Sequence, residues 1–239
     1  MAPHPSPRIL PCGDAALIIE FGEEIDPDLN ARVLELDRAV AGLEGVVETI
    51  PTYRSLLVSY DPERVSYGAL AAELLRLAAG LTGRAEAGRT WRIPVCYGGE
   101  NGIDLEATAA LHGLSPDELV RRHSAPTYRV YMLGFLPGFA YLGGLDQSIA
   151  TPRRVSPRLH TPAGTISIGG IQALVASLAA PSGWHLLGRT PVRNFMPGRD
   201  PTVILQPGDG VRFYRIDEGD FARLEREAAA GAVIAETTP

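Results

Sequence analysis

The sequence predicts two successive folding units, a small α+β unit and then an all-β unit. Helix-like and strand-like segments alternate up to about residue 80, whereas short apolar runs separated by Pro- and Gly-rich turns fill the chain beyond Leu145. A small, polar, glycine-rich segment at residues 80–89 is typical of a linker. With 239 residues, the chain is long enough to bury a core without disulfide bonds.

The first unit is predicted to begin with a strand over residues 8–21, in which Gly13-Asp14 marks a bend. A helix follows, because Asp26 is a good N-cap, Pro27 suits the first helical position and Gly42 suits the end. Its apolar face consists of residues at helical spacing, which are Leu29, Val33, Leu36 and Val40.

A hairpin and a second helix are predicted to follow. Apolar runs at residues 46–50 and 55–60 flank a turn, and Ser66 and Gly80 suit the two ends of a helix. The apolar face of that helix is formed by Leu70, Leu74 and Leu77. The order βαββα is similar to a ferredoxin-like half-domain, which we assign to residues 1–85. A strand at residues 90–97 is expected to complete or link its sheet.

The second unit, residues 90–220, is predicted to start with two short helices. One covers residues 103–112, and the other begins at the capping box Ser115-Pro116-Asp117-Glu118. Five short apolar runs then predict a barrel or sandwich, at residues 165–169, 173–178, 183–187, 202–205 and 211–215. Residues 221–239 are expected to form a terminal helix and a frayed tail.

An aromatic and glycine-rich segment, residues 130–145, stands out within this unit. Its glycines and Pro137 disfavour a regular helix or a central strand. Its aromatic side chains are too concentrated for a solvent loop; they are Tyr131, Phe135, Phe139 and Tyr141. Two interpretations remain open: a strand leading into a loop whose rings line a cavity, or a barrel corner where glycine lets two backbones approach closely.

Composition excludes several classes of function. A net charge of −6 disfavours nucleic acid and anionic membranes as partners. Cys12 and Cys96 lack metal or redox spacing, and no run reaches the ~20 apolar residues of a membrane span, so we expect a soluble cytoplasmic protein. The chain contains no lysine, which excludes a P-loop lysine and a Schiff-base lysine.

The residues suited to chemistry are few. The five histidines are scattered singly, so we predict no metal site. Arg153, Arg154, Arg158 and His160 form a basic cluster that could bind a carboxylate or phosphate or could be a solvated loop. His123 ends a helix just before the aromatic segment, where either a pocket role or an interaction with the helix dipole would suit it. The carboxylates Glu100 and Asp104 are interpreted as part of a solvated loop.

Four motifs resemble the PxpB/KipI family, which includes the allophanate hydrolase subunit 1 domain and the B subunit of 5-oxoprolinase. They are Pro-Val-Cys-Tyr-Gly-Gly-Glu at 94–100, Tyr-Met-Leu-Gly-Phe-Leu-Pro-Gly-Phe-Ala-Tyr-Leu at 131–142, Pro-Ala-Gly at 162–164 and Gly-Trp-His-Leu-Leu-Gly-Arg-Thr-Pro at 183–191. The resemblance implies that the all-β unit is a cyclophilin-like barrel. It also implies that the chain works in a complex with two partners. One is the homologous C subunit, which is of the allophanate hydrolase subunit 2 type, and the other is the A subunit.

The function implied by this resemblance is that of the B subunit in the ATP-dependent opening of 5-oxoproline to glutamate. ATP would be used by the complex, and no catalytic residue is assigned. The family also implies two alternatives, a non-catalytic inhibitor of a sensor histidine kinase and a subunit of the urea carboxylase or allophanate hydrolase type. Where relatives usually read Asn-Gln-Thr-Gly-Ile-Tyr-Pro, this chain has Ile-Gln-Ala-Leu-Val-Ala-Ser at residues 171–177. If that strand lines the pocket, its recognition of substrate is altered.

These observations give a site hypothesis. A small carboxylate needs a charged anchor and a dry wall. We expect Arg158 to be the anchor and Gln172 to hold a polar group of the ligand. We expect the wall to be formed by Tyr131, Phe135, Phe139 and Tyr141. His123 is a further candidate for substrate binding.

Overall fold

A computed structural model describes residues 6–83 and 88–238 of the chain. It divides into two compact units, residues 1–87 and residues 88–239. Residues 84–87 of the predicted linker lie outside the described residues. Within the described residues, no helix is both long and apolar enough to cross a membrane.

The first unit is a four-stranded antiparallel sheet with two helices. Its elements are β1 (Arg8–Pro11), β2 (Ala16–Glu20), α1 (Pro27–Val40), β3 (Val46–Pro51), β4 (Ser55–Tyr60) and α2 (Tyr67–Ala79). The strand order is β1-β2-β4-β3. Alternate residues of β2 and β4 share a buried core with the apolar faces of both helices. Burial of that one sheet face therefore holds the unit together.

The predicted helices and their caps are confirmed. The Asp26 carboxylate accepts hydrogen bonds from the backbone of Asp28 and Leu29, at 2.8 and 3.0 Å. The Ser66 hydroxyl accepts one from the backbone of Ala69, at 3.3 Å. These side chains satisfy N–H groups that the first helical turn leaves without partners.

Two predictions for this region are wrong. The single strand at residues 8–21 is the hairpin of β1 and β2, because Gly13 takes a left-handed backbone angle (φ +68°) and the Cys12 amide donates to the Ala16 carbonyl at 2.9 Å. The strand at residues 90–97 does not join this sheet. It pairs within the second unit, where seven backbone positions match a parallel neighbour.

Within residues 88–238, the second unit contains ten further strands and three helices. They are β5 (Thr90–Tyr97), α3 (Leu105–Leu111), α4 (Pro116–Ser124), β6 (Tyr128–Leu133), β7 (Ala140–Gly143), β8 (Arg158–Thr161), β9 (Thr165–Gly169), β10 (Gln172–Val175), β11 (Ala180–Ser182), β12 (His185–Arg189), β13 (Gly210–Ile216), α5 (Glu218–Ala229) and β14 (Glu236–Thr238). A short 3-10 turn covers Gln147–Ile149.

Seven of these strands close into a barrel. Their order is β12-β9-β10-β7-β6-β13-β5, and pairing between β12 and β5 completes the ring. The strand β5 runs parallel to β13, whereas the other pairs are antiparallel. Apolar side chains fill the interior, including Ile93, Val130, Leu142, Ile166 and Val175. The strands β8 and β11 form a separate two-stranded sheet.

Two details of the barrel unit differ from the prediction. Residues 202–205 form no strand beyond one isolated bridge between Phe195 and Val203. The Asn194 side chain takes the role of a strand partner, since its Oδ1 accepts from the Leu205 amide at 2.8 Å. The tail is not entirely frayed, because β14 pairs with β5 over three positions.

Candidate functional site

The loop between β6 and β7, residues 134–139, carries an unusual backbone conformation. Phe135 has φ 69°, and no other non-glycine residue in the described part of the chain has positive φ. That left-handed geometry costs a bulky residue about 1–3 kcal/mol. The residue is 66% exposed, and its ring meets the Phe139 ring edge-on at 5.6 Å. A strained, exposed aromatic residue makes this loop a candidate functional segment.

Contacts from one side hold this loop in place. The Asn194 amide donates to the Gly138 carbonyl at 2.6 Å, and the Ser177 hydroxyl donates to the Pro137 carbonyl. Gly138 has φ +75°, and a Cβ there would lie 2.6 Å from Cβ of Phe195. Glycine is therefore required both for the turn and for the close approach.

The loop also borders a cavity of about 260 Å³. The wall combines aromatic, proline and arginine side chains with one leucine; its lining residues are Phe135, Phe139, Tyr141, Arg153, Arg154, Pro157, Leu174, Pro181, Ser182, Gly183 and Trp184. The cavity lies outside the barrel, because Leu174 lines it while the adjacent Ala173 and Val175 belong to the barrel core. We call it the aromatic–arginine cavity.

Arginine side chains provide its charge. The Arg153 guanidinium lies over the Trp184 ring, 5.4 Å from the centroid, and the Trp184 ring meets the Tyr141 ring edge-on at 6.0 Å. Burial raises the pKa of the Tyr141 phenol, and the positive charge of Arg153 opposes that rise. The phenol therefore stays neutral at ordinary pH, and the cavity presents cationic groups beside aromatic faces.

A buried carboxylate organises the arginines behind this wall. The Asp104 side chain accepts two hydrogen bonds from Arg158, at 2.6 and 2.8 Å, and one from Arg154, at 3.3 Å. It also accepts from the Leu186 amide at 2.8 Å. Burial acts to raise the pKa of Asp104, but these hydrogen bonds and the two positive charges outweigh it, so the pKa is lowered.

The interpretation of Asp104 as a solvated carboxylate is wrong. Only 5% of the residue is exposed, because its backbone amide is fixed to the Leu186 carbonyl at 3.0 Å and the arginines cover its carboxylate. The sequence does contain a signal for a buried acidic partner of the arginines. The predicted arginine cluster contains three guanidinium groups and no acid, and a partly buried cluster of that kind requires a counter-charge from elsewhere.

The structure brings together some of the predicted site residues and separates others. Phe135, Phe139 and Tyr141 line the aromatic–arginine cavity. Tyr131 is buried against Gly143, where a Cβ would lie 1.6 Å from the tyrosine ring, so the glycine makes room for that side chain rather than for a second backbone. Gln172 begins β10 and is half-buried outside the cavity lining.

Arg158 and His123 are both engaged by other residues of the barrel unit. The Arg158 fork is engaged with Asp104, which lies behind the cavity wall. His123 is fully buried in the core, where its ring stacks on Phe213 at 5.0 Å and its Nδ1 contacts the Tyr97 hydroxyl at 2.9 Å. Its Nε2 has no hydrogen-bond partner among the described residues. Neither side chain lines the aromatic–arginine cavity.

The burial of His123 predicts a pH dependence of stability. Burial lowers its pKa from 6.5 to about 3, so between these values the unfolded chain binds a proton that the folded chain does not. The free energy of unfolding must therefore fall as pH falls below 6.5, by about 3 kcal/mol at pH 4.5. Urea unfolding at pH 7 and pH 4.5, on the wild type and His123→Phe, checks this.

The variant should lose much less stability on acidification than the wild type does. Its value at pH 7 serves as the baseline, because the change also leaves the Tyr97 hydroxyl without its partner. Parallel losses in the two proteins would show that carboxylates, rather than His123, set the acid sensitivity.

Comparisons with known proteins give a consistent result. Residues 7–205 match the family model described as carboxyltransferase domain, subdomain C and D. The 5-oxoprolinase B subunit of Bacillus subtilis (strain 168) is 40% identical over 232 residues, which cover 90% of this chain and 95% of that protein.

Two solved structures are similar in fold. The crystal structure of TTHA0988 has 37% sequence identity and a TM-score of 0.75, covering 84% of this chain. This chain spans only 40% of that one. The urea amidolyase of K. lactis has a TM-score of 0.81 over 98% of this chain at 20% identity, which shows a shared fold alone.

Proposed function

The chain belongs to the family of the carboxyltransferase domain, subdomain C and D, and from this premise we propose that it is the B subunit of a 5-oxoprolinase. The main support is identity of 40% along nearly the whole length of both proteins. The function is therefore that of one subunit in a hydrolase-type complex.

ATP dependence and the partners belong to this proposal. An unstrained lactam resists water, and phosphorylation of its amide oxygen would supply the leaving group that hydrolysis needs. The chain has no lysine with which to form a P-loop, so we assign the ATP site to the other subunits. We propose the homologous C subunit together with the A subunit as these partners, and no activity for this chain alone.

We also propose finer terms for the architecture. The seven-stranded barrel is taken as cyclophilin-like, and the unit formed by residues 1–85 as a ferredoxin-like domain. The barrel domain is assigned to residues 90–220, and residues 221–239 to a terminal helix and tail. Cyclophilins are prolyl isomerases, but a shared barrel architecture does not imply that activity.

The aromatic–arginine cavity is the proposed binding site for 5-oxoproline. This substrate is a five-membered lactam ring with one carboxylate, so it needs an apolar wall and one cationic anchor. Phe139, Tyr141 and Trp184 offer ring faces and edges, and Arg153 is held over one of them. Because Asp104 engages the Arg158 fork, we assign the anchor to Arg153 and give Arg158 the role of fixing Asp104 and, through it, Arg154.

Replacing Arg153 by alanine should weaken 5-oxoproline binding about ten-fold. A hydrogen bond to a charged group contributes ~1.5–3 kcal/mol, and we expect the lower figure because Arg153 is exposed. Calorimetric titration of the complex with 5-oxoproline measures the effect. Arg223→Ala, on the exposed face of α5, is the matched control and should bind as the wild type does. Equal affinity in the Arg153 variant and the wild type would place the substrate elsewhere.

A further inference from the structure

A second cavity borders two residues that contact the 134–139 loop. Its volume is about 380 Å³, and it is lined by residues 163–164 and 177–178, by the segment 189–197 and by Glu225 of α5. It shares no lining residue with the aromatic–arginine cavity. Ser177 and Phe195 belong to its wall and contact the 134–139 loop. We call it the α5 cavity.

One guanidinium of the α5 cavity is fixed by three contacts. The Arg189 Nε donates to the Ala163 carbonyl at 3.1 Å, and its Nη2 donates to Glu225 at 3.2 Å. The guanidinium also lies over the Phe221 ring, 5.1 Å from the centroid. A cation held in this way is pre-organised, so a ligand would not have to order it.

The other two charged groups of the α5 cavity, Glu225 and Arg193, can make further polar contacts. The Glu225 side chain remains 47% exposed while it accepts from Arg189. Arg193 is exposed, and within residues 6–83 and 88–238 no hydrogen bond or ion pair engages it. An arginine and a carboxylate at the wall of one cavity can each take an opposite charge from a ligand.

We propose that the α5 cavity binds an acidic α-amino acid. Its two guanidinium groups and one carboxylate are the charge complement of two carboxylates and one ammonium group. Apolar side chains complete the wall and suit the short methylene chain between those groups; they are Leu178, Val192, Phe195 and Met196. The binding itself does not depend on the proposed function. The corollary that the site holds glutamate released by opening of 5-oxoproline does rest on it.

Calorimetric titration of the full-length chain with L-glutamate and with glutarate tests the proposal. Glutarate has both carboxylates but no ammonium, so the wild type should bind it more weakly than glutamate. Arg193→Ala should weaken both ligands about ten-fold, because each loses a charge-assisted hydrogen bond. Glu225→Gln should remove the preference for glutamate. Arg223→Ala, on the same helix, should change neither affinity.

The proposal is overturned if glutamate gives no saturable heat at millimolar concentration, or if both variants bind it as the wild type does. An unchanged preference for glutamate in Glu225→Gln would also overturn it, since the ammonium would then lie elsewhere. Circular dichroism of each variant establishes that it is folded before titration. The result is separable from the 5-oxoproline experiment, because Arg153 is not part of the α5 cavity.

Discussion

Gly102→Ala is expected to destabilise the barrel unit by about 4 kcal/mol or more, which is at the extreme end for a single substitution. A Cβ at this position would lie 2.0 Å from the Leu187 carbonyl oxygen and 2.6 Å from the Gly98 amide nitrogen. Both are backbone atoms, and they hydrogen-bond to each other at 3.0 Å. Neither can move without breaking the contact that joins the residues after β5 to β12.

Urea unfolding followed by circular dichroism measures this effect. Gly42→Ala is the matched control, because it is an exposed glycine with negative φ and no atom lies within 4 Å of the added Cβ. That variant should unfold within about 0.5 kcal/mol of the wild type. A Gly102→Ala protein as stable as the control would mean that the turn after β5 is not packed on β12 as described.

Asp104→Asn is expected to cost about 3 kcal/mol of stability and to loosen the arginines behind the aromatic–arginine cavity. The change keeps the shape but removes the charge that faces Arg158 and Arg154. Breaking a buried pair costs about 3–5 kcal/mol, and the lower figure applies because these arginines are 23% and 32% exposed. Affinity for 5-oxoproline should fall as well, since Arg154 lines the cavity.

The control for this prediction is Asp117→Asn. Asp117 also pairs with an arginine, Arg215 at 2.7 Å, but its side chain is 83% exposed. An exposed pair contributes about 0–1 kcal/mol, so this variant should resemble the wild type in stability and in ligand affinity. Similar losses in the two variants would contradict the role given to burial at Asp104.

The helices and the hairpin of the first unit were predictable because their signals are local. Asp26 and Ser66 each cap a helix whose first turn lies within three residues of them, and Ser115 does the same in the second unit. The barrel's closure was not predictable, since β5 pairs with strands that follow it by about a hundred residues. No local feature of the sequence at residues 90–97 shows whether this strand extends the sheet of the first unit or belongs to the barrel of the second.

The site was predictable in part for the same reason. The aromatic segment places Phe135, Phe139 and Tyr141 within seven residues, and their shared wall follows from that short stretch. The positions of the arginines depend on residues far away along the chain. Asp104 lies 54 residues before Arg158, and only the folded barrel unit shows that this pair engages the Arg158 guanidinium while Arg153 lies over Trp184.

Release of phosphate that depends on 5-oxoproline, by a complex assembled from this chain and the A and C subunits, tests the central claim most directly. We predict release from the full mixture, none from this chain alone, and a loss of release when this chain is omitted. Arg153→Ala should raise the concentration of 5-oxoproline needed for half-maximal release about ten-fold. Equal release with and without this chain would contradict its assignment as the B subunit, and so would release by this chain alone.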